Sequence, residues 1–302
     1  MSPAAPTAAV TASAPGRLEL SGSEGGPWLS IAVDRRALCR VEGGVSGVVV
    51  ESKDTLARLA AANVDELVGR SPTSLAAQAL AVCGAPGGLR VVTEWKLPAG
   101  SGVDASGALS LAAVAAVGRA LGKDLPQDDL VALASEAARR ADGAAGHGVY
   151  VALWGGVLRT RQAGSRLEAE RLGVDPGRIE ECLILVDAGA ADAAPPASAS
   201  PVTALLTDGI ADALRGGRYE DVVELVAREA EGAPAGEGQR AVLAVVRSAG
   251  GAARPLAGRL VAVWAPPGAR GPGRRESVSA ALKEAGLKPL PIRVDLRGLE
   301  VE

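Results

Sequence analysis

The sequence contains no phenylalanine, and only two tyrosines and four tryptophans among 302 residues. A core built on aromatic anchors is therefore excluded. The 48% of apolar residues, mostly alanine, valine and leucine, must bury their area in many small contacts. Cysteine is equally scarce. Cys39, Cys83 and Cys182 are widely spaced and form no CxxC pair, which argues against a disulfide frame or a zinc site and for reduced thiols in a cytoplasmic protein. Positive charge is not in excess, since the formal net charge is −3. No basic stripe alternates with aromatics, so nucleic acid is not an expected partner. The densest basic cluster, Arg270 with Arg274 and Arg275, reads as a solvated loop. Long apolar runs are missing too. The most apolar stretch, residues 108–117, is too short to cross a bilayer, so no membrane partner is expected. The first residues are rich in Ala, Pro and Thr, without a basic start or a leucine-rich stretch. They make a poor signal peptide, and residues 1–13 read as a disordered tail.

What is present is an ordered alternation of patterns. Residues 17–20, 28–33, 39–42, 47–51 and 89–96 alternate as half-buried strands. Helices are predicted over 55–62, 74–82, 106–121 and 128–141, the third apolar nearly all round and hence buried. Residues 151–161 read as a strand through Gly155 and Gly156, and 182–187 as a buried strand. The Ala/Pro/Ser stretch 188–201 reads as a loop. Helices are predicted over 202–215, 219–230, 239–249 and 275–285, and strands over 259–264 and 291–296. No repeat is visible. The order, β-rich first and helix-rich later, suits an α+β enzyme fold of two lobes.

Four segments carry a resemblance to a known family. Residues 14–24 begin Ala14-Pro15-Gly16-Arg17 and continue to Gly22-Ser23-Glu24. Residues 97–109 include Gly100-Ser101-Gly102-Val103-Asp104-Ala105-Ser106-Gly107 and run into the buried helix. Glu136 is followed by His147-Gly148 and Trp154-Gly155-Gly156. Residues 250–264 hold a short Ala257-Gly258-Arg259 run. In this order they resemble the APGR opening, the PxGSGLGSSSAL phosphate loop, the GxxDQxAxxxGG segment and the third glycine motif of the GHMP kinase superfamily, and most closely its sugar-kinase branch, the heptose kinases and galactokinases.

The resemblance implies a two-lobed GHMP-kinase-like fold. Its N-terminal nucleotide-binding half (ribosomal protein S5 domain 2-like) is expected over 14–175, and a ferredoxin-like C-terminal half over 176–302. It implies phosphoryl transfer from magnesium-ATP to a sugar hydroxyl. Gly100, Ser101, Gly102, Asp104, Ser106 and Gly107 would face the nucleotide, Ser106 and Glu136 the magnesium ion, and Arg17, Glu19 and Glu24 the sugar. The physics of such a loop is plain: glycines let the backbone approach phosphate, and amides at a helix start point at the anion.

The chain departs from the pattern in three places. Asp104 replaces the second loop glycine. A carboxylate facing the triphosphate there would cost about 4 kcal/mol at roughly 4 Å and intermediate dielectric. The same carboxylate could instead cap the buried helix, which its chemistry also suits. Gly148 stands where the family carries its aspartate and can take no proton. His147 beside it is the remaining candidate base. The third glycine run is shortened. Activity is therefore expected to be weak or absent. The alternative is a pseudokinase with a regulatory, scaffolding or sugar-binding role, taking a sugar or phosphosugar or a protein partner.

Overall fold

A computed structural model of the chain describes residues 9–22, 26–71, 73–97, 102–143, 146–164, 166–189, 201–231, 233–256, 258–268 and 273–302. The first half is β1 (Val10–Gly22), β2 (Trp28–Gly43), β3 (Val48–Ser52), β4 (Arg58–Ala61), α1 (Val64–Arg70), α2 (Leu75–Val82), β5 (Leu89–Trp95), α3 (Ser106–Ala120), α4 (Gln127–Asp142), α5 (His147–Trp154), β6 (Val157–Ala163) and β7 (Arg166–Arg171). The second is α6 (Pro176–Cys182), β8 (Leu183–Asp187), α7 (Pro201–Arg215), α8 (Tyr219–Ala230), α9 (Glu237–Ser248), β9 (Ala252–Pro255), β10 (Leu260–Trp264), α10 (Arg274–Glu284), β11 (Pro289–Leu290) and β12 (Glu300–Val301).

One eight-stranded sheet runs β12-β1-β2-β5-β3-β4, with β6 and β7 branching from the start of β2; a four-stranded sheet runs β11-β8-β10-β9. The architecture is thus α+β in two halves. The expected division at residue 176 falls on the first residue of α6. The chain end does not remain with the second half, because β12 pairs with β1.

The long β1–β2 hairpin is the platform for α3. That helix buries twelve of its fifteen residues, nearly all small. Small side chains let a helix lie close on a sheet, as close packing without phenylalanine requires. In the second sheet, Leu260, Ala262 and Trp264 of β10 join the main core, while Val261 and Val263 join a second cluster under α9 and α10. This is the two-residue alternation of a strand buried on both faces. The three thiols are buried, and burial pushes Cys39 up to about 12 and Cys83 and Cys182 up to about 11. Among the described residues no helix is long and apolar enough to cross a membrane.

Several sequence expectations are corrected. The first strand begins at Val10, inside the stretch expected to be a tail, because Val10 to Ser13 pair with β2 and bury Ala12. Residues 28–33 and 39–42 are one strand: the charge of Arg36 between them is taken up by Asp295 and by Glu300 at 2.9 Å. Residues 58–61, expected to be helical, form β4, paired to β3 and tied by Arg58 to Glu51 at 3.0 Å. Residues 147–154 are helical where a strand was expected from 151. The strand begins only at Val157, after Gly155 and Gly156 turn the chain at φ +64° and +80°. Of 291–296, only Val294 pairs, in a single bridge to Val33.

Candidate functional site

The site forms where β1 passes the starts of α3 and α5. Gly16 permits the approach: a Cβ there would lie 2.5 Å from the Trp95 ring and 2.8 Å from Val103. The next residue, Arg17, exchanges two backbone hydrogen bonds with Asp104, of 3.1 and 2.9 Å. Its guanidinium then grips the Asp104 carboxylate. Nε donates to Oδ2 at 3.1 Å, and Nη2 lies 2.8 Å from the same oxygen. The other oxygen, Oδ1, accepts from the Ser106 amide at 2.9 Å, at the first turn of α3. Asp104 is therefore turned onto the helix start and onto Arg17. Both are favourable places for a carboxylate, one through the helix dipole and one through an ion pair.

From Arg17 a ladder of charges runs into the second half. Arg17 lies 3.4 Å from Glu19, Glu19 lies 3.3 Å from Arg254 on β9, and Arg254 lies 3.5 Å from Glu229 on α8. Arg254 also donates to the carbonyls of Glu19 and Gly22 at 3.1 and 2.8 Å. Glu229 accepts from Ser21 at 2.9 Å and from the Gly22 amide at 3.2 Å. Burial raises the Glu229 carboxyl above its ordinary range, against the pull of Arg254.

His147 opens α5 and stacks on Trp28, with ring centroids 4.5 Å apart and planes 4° from parallel. Its side chain is 12% exposed, and neither ring nitrogen has a hydrogen-bond partner. Burial, and then the Arg17 charge, pull its pKa down to about 2, which favours the neutral imidazole and weakens it as a proton acceptor. A stability effect follows. The unfolded chain takes up a proton near the ordinary 6.5 and the folded chain does not, so stability is lost as pH falls from 6.5 toward 2. The slope is at most about 1.4 kcal/mol per pH unit. Urea unfolding at pH 7 and pH 5 should show a steeper loss for the wild type than for His147→Phe; equal losses would refute the burial of a neutral histidine.

Gly107 and Gly148 bring α3 and α5 into contact. A Cβ on Gly107 would lie 2.5 Å from the Gly148 carbonyl carbon. A Cβ on Gly148 would lie 3.2 Å from Asp104 Oδ2 and 3.5 Å from Arg17 Nε. The space that a side chain at 148 would enter is thus bordered by the Asp104 carboxylate. A cavity of about 150 Å3 opens here, lined by Arg17, Asp104, Gly107, His147 and Gly148 among others.

The remaining expected residues are less well gathered. Gly100, Ser101 and Glu24 lie outside the described residues. Gly102, at φ +88°, begins the turn that leads to Asp104. The Ser106 hydroxyl donates to Asp142 at 2.7 Å. Glu136, expected beside Ser106, gives its carboxylate to Arg139 and Arg140 at 2.7 Å each, and both hold it below the usual carboxylate range. Among the described residues no three His, Cys, Asp or Glu side chains cluster as a metal site. Ser106 with Asp142 offers two hard oxygen donors. That suits magnesium, which takes one or two protein oxygens and completes its shell with phosphates and water.

The third glycine segment is closed from behind: Gln239 Nε2 donates to the carbonyls of Leu256, Gly258 and Leu260 at 2.9, 3.1 and 3.0 Å. Sequence reasoning missed Asp142, Arg254, Glu229 and Trp28. Asp142 alone left a signal, as the last residue of the Glu136 helix before Gly143 ends it.

Residues 66–156 match the family model of the GHMP kinases N terminal domain. No curated protein sequence matches the chain. Solved structures share its fold over nearly the whole length. A D-glycero-D-manno-heptose 1-phosphate kinase from Bacteriodes thetaiotaomicron is 18% identical, with a TM-score of 0.73 over 97% of this chain and 98% of that one. A homoserine kinase from Cytophaga hutchinsonii is 17% identical, with a TM-score of 0.66 over 97% of each. The Methanococcus jannaschii mevalonate kinase is 14% identical, with a TM-score of 0.67 over 96% and 99%.

Proposed function

We propose that the chain, whose residues 66–156 match the GHMP kinases N terminal domain and whose fold is shared with the heptose 1-phosphate kinase, is a slow ATP-dependent kinase of a small hydroxylated acceptor, of the sugar-kinase branch. The observation that carries this reading is the position of Asp104. The substitution most threatening to the phosphate loop is neutralised by Arg17 and spent on the Ser106 amide, instead of standing free against a triphosphate. Magnesium-ATP, when bound, supplies the phosphoryl group. The start of α3 would receive phosphate on its amides, and Ser106 with Asp142 would hold the metal. Asp104 Oδ2 borders the space beside Gly148 and would orient an acceptor hydroxyl by accepting its hydrogen bond. The sugar-kinase assignment rests on the resemblance of residues 14–24 and on the heptose kinase among the similar folds.

Turnover is slow in this reading because no carboxylate projects from residue 148, and electrostatic positioning is most of the catalysis in phosphoryl transfer. The pseudokinase reading is favoured by two observations: Glu136 is occupied by arginines, and Gln239 clamps the third segment.

Calorimetric titration of the full chain with magnesium-ATP separates the two. Saturable binding that weakens about 3- to 10-fold in Ser106→Ala supports the kinase, since one lost oxygen contact to a charged ligand is worth that much. No binding at millimolar nucleotide, restored by Asp104→Gly, would make the protein a pseudokinase shut off by charge.

A further inference from the structure

We propose that the cavity between β1, α3 and α5 binds an uncharged polyhydroxylated ligand, read by His147, Arg17 and Asp104, and that it discriminates against phosphorylated or carboxylated ones. This rests on the kinase reading only in taking the cavity as the acceptor end of that site.

Two observations lead there. The first is the state of His147. A neutral imidazole carries one N–H donor and one acceptor nitrogen. Here both are buried without a partner, in a residue that lines the cavity. Buried polar atoms in folded proteins are nearly always satisfied, so an unmet pair beside a cavity points to an occupant able both to donate and to accept. A hydroxyl does both. The stack on Trp28 fixes the plane of the ring and so the directions its nitrogens can serve.

The second is the charge balance. Among the described residues lining the cavity, Arg17 is the one cation, and it is shared between Asp104 and Glu19. The next arginine along, Arg254, is shared between Glu19 and Glu229. His147 stays neutral. An entering phosphate or carboxylate would therefore meet no unshared cation, and would stand close to the Asp104 carboxylate. A sugar hydroxyl, by contrast, can donate to that carboxylate.

The test uses the full chain and matched probes. D-Mannose and D-galactose are titrated against their 1-phosphates and 6-phosphates, and against homoserine and mevalonate, by calorimetry, with and without a non-hydrolysable ATP analogue and magnesium. An uncharged hexose is expected to bind at least about tenfold more tightly than its phosphates, because a site with no spare cation leaves the phosphate unpaired. His147→Phe, which keeps the stack and removes both nitrogens, should weaken the hexose by about tenfold, and His147→Gln should recover part of the loss. The melting point of each free variant separates lost recognition from lost folding. The proposal is overturned if a phosphate or an acid binds as tightly as the hexose, if a folded His147→Phe binds the hexose unchanged, or if no uncharged hexose saturates the protein. Hexose binding without nucleotide binding would sustain this inference and remove the kinase reading. Nucleotide binding with preference for an acid would do the reverse.

Discussion

Gly107→Ala is expected to destabilise the protein by about 3 kcal/mol, near the upper end for overpacking, and to lower its melting point by roughly 5–10 °C. The added methyl would stand 2.5 Å from the Gly148 carbonyl carbon, 2.8 Å from its oxygen and 2.8 Å from the Val149 nitrogen. All three are backbone atoms, so no side chain can swing away. Relief requires α5 to move off α3, and α5 also carries His147 and leads directly into β6. Gly69→Ala is the control. That glycine is exposed within α1 and a Cβ on it meets nothing within 4 Å. The same substitution there should stabilise by about 0.5–1 kcal/mol through helix propensity. Urea unfolding of the two variants side by side measures both. A neutral Gly107→Ala would mean that the α3–α5 approach is looser than it stands.

Arg17→Met is the second large effect. The side chain of Arg17 is 12% exposed and serves two carboxylates, those of Asp104 and Glu19. Its removal leaves both without their shared cation at the edge of the core. The cost of orphaning a fully buried charge is about 3–5 kcal/mol. Here the two carboxylates keep about a third of their exposure, so about 2 kcal/mol is expected after solvent screening. Magnesium-ATP binding should be lost as well, since Asp104 then stands uncompensated beside the start of α3. Adding Asp104→Asn should return more than half of the lost stability and restore nucleotide binding. The double-mutant cycle reads the coupling directly. Strict additivity of the two substitutions, in stability and in binding, would show that the pair does not act as a unit.

Much of this was legible in the sequence, for identifiable reasons. The buried helix 106–120 declared itself by being apolar all round, and β8 by a continuous apolar run. The helix expected over 74–82 is α2, whose N-cap Ser74 accepts from the Ala77 amide. Asp104 and Gly148 stood out as departures from a family pattern. What could not be read were contacts between segments far apart in the chain. Residues 147–154, Gly148 to Trp154 mostly apolar, fit a strand or a buried helix equally well by periodicity. Contact with α3 decided for the helix. Residues 58–61 have helix-forming composition, and their pairing with β3 overrode it. Glu136 was a metal candidate through the family resemblance, yet two arginines three and four residues on along its own helix pair with it.

By itself, then, the sequence determined the fold class, the absence of an aromatic core, and the glycine positions where helices and strand can approach. These follow from side-chain size, hydrophobic period and backbone freedom, which are local properties. Only the tertiary structure decided the electrostatics of the site. Whether Asp104 opposes a phosphate or is neutralised depends on Arg17, 87 residues earlier. Whether His147 is a base depends on its burial against Trp28 and beside Arg17. Coulomb and desolvation energies depend on distances and on what excludes water, and neither quantity exists until the chain has folded.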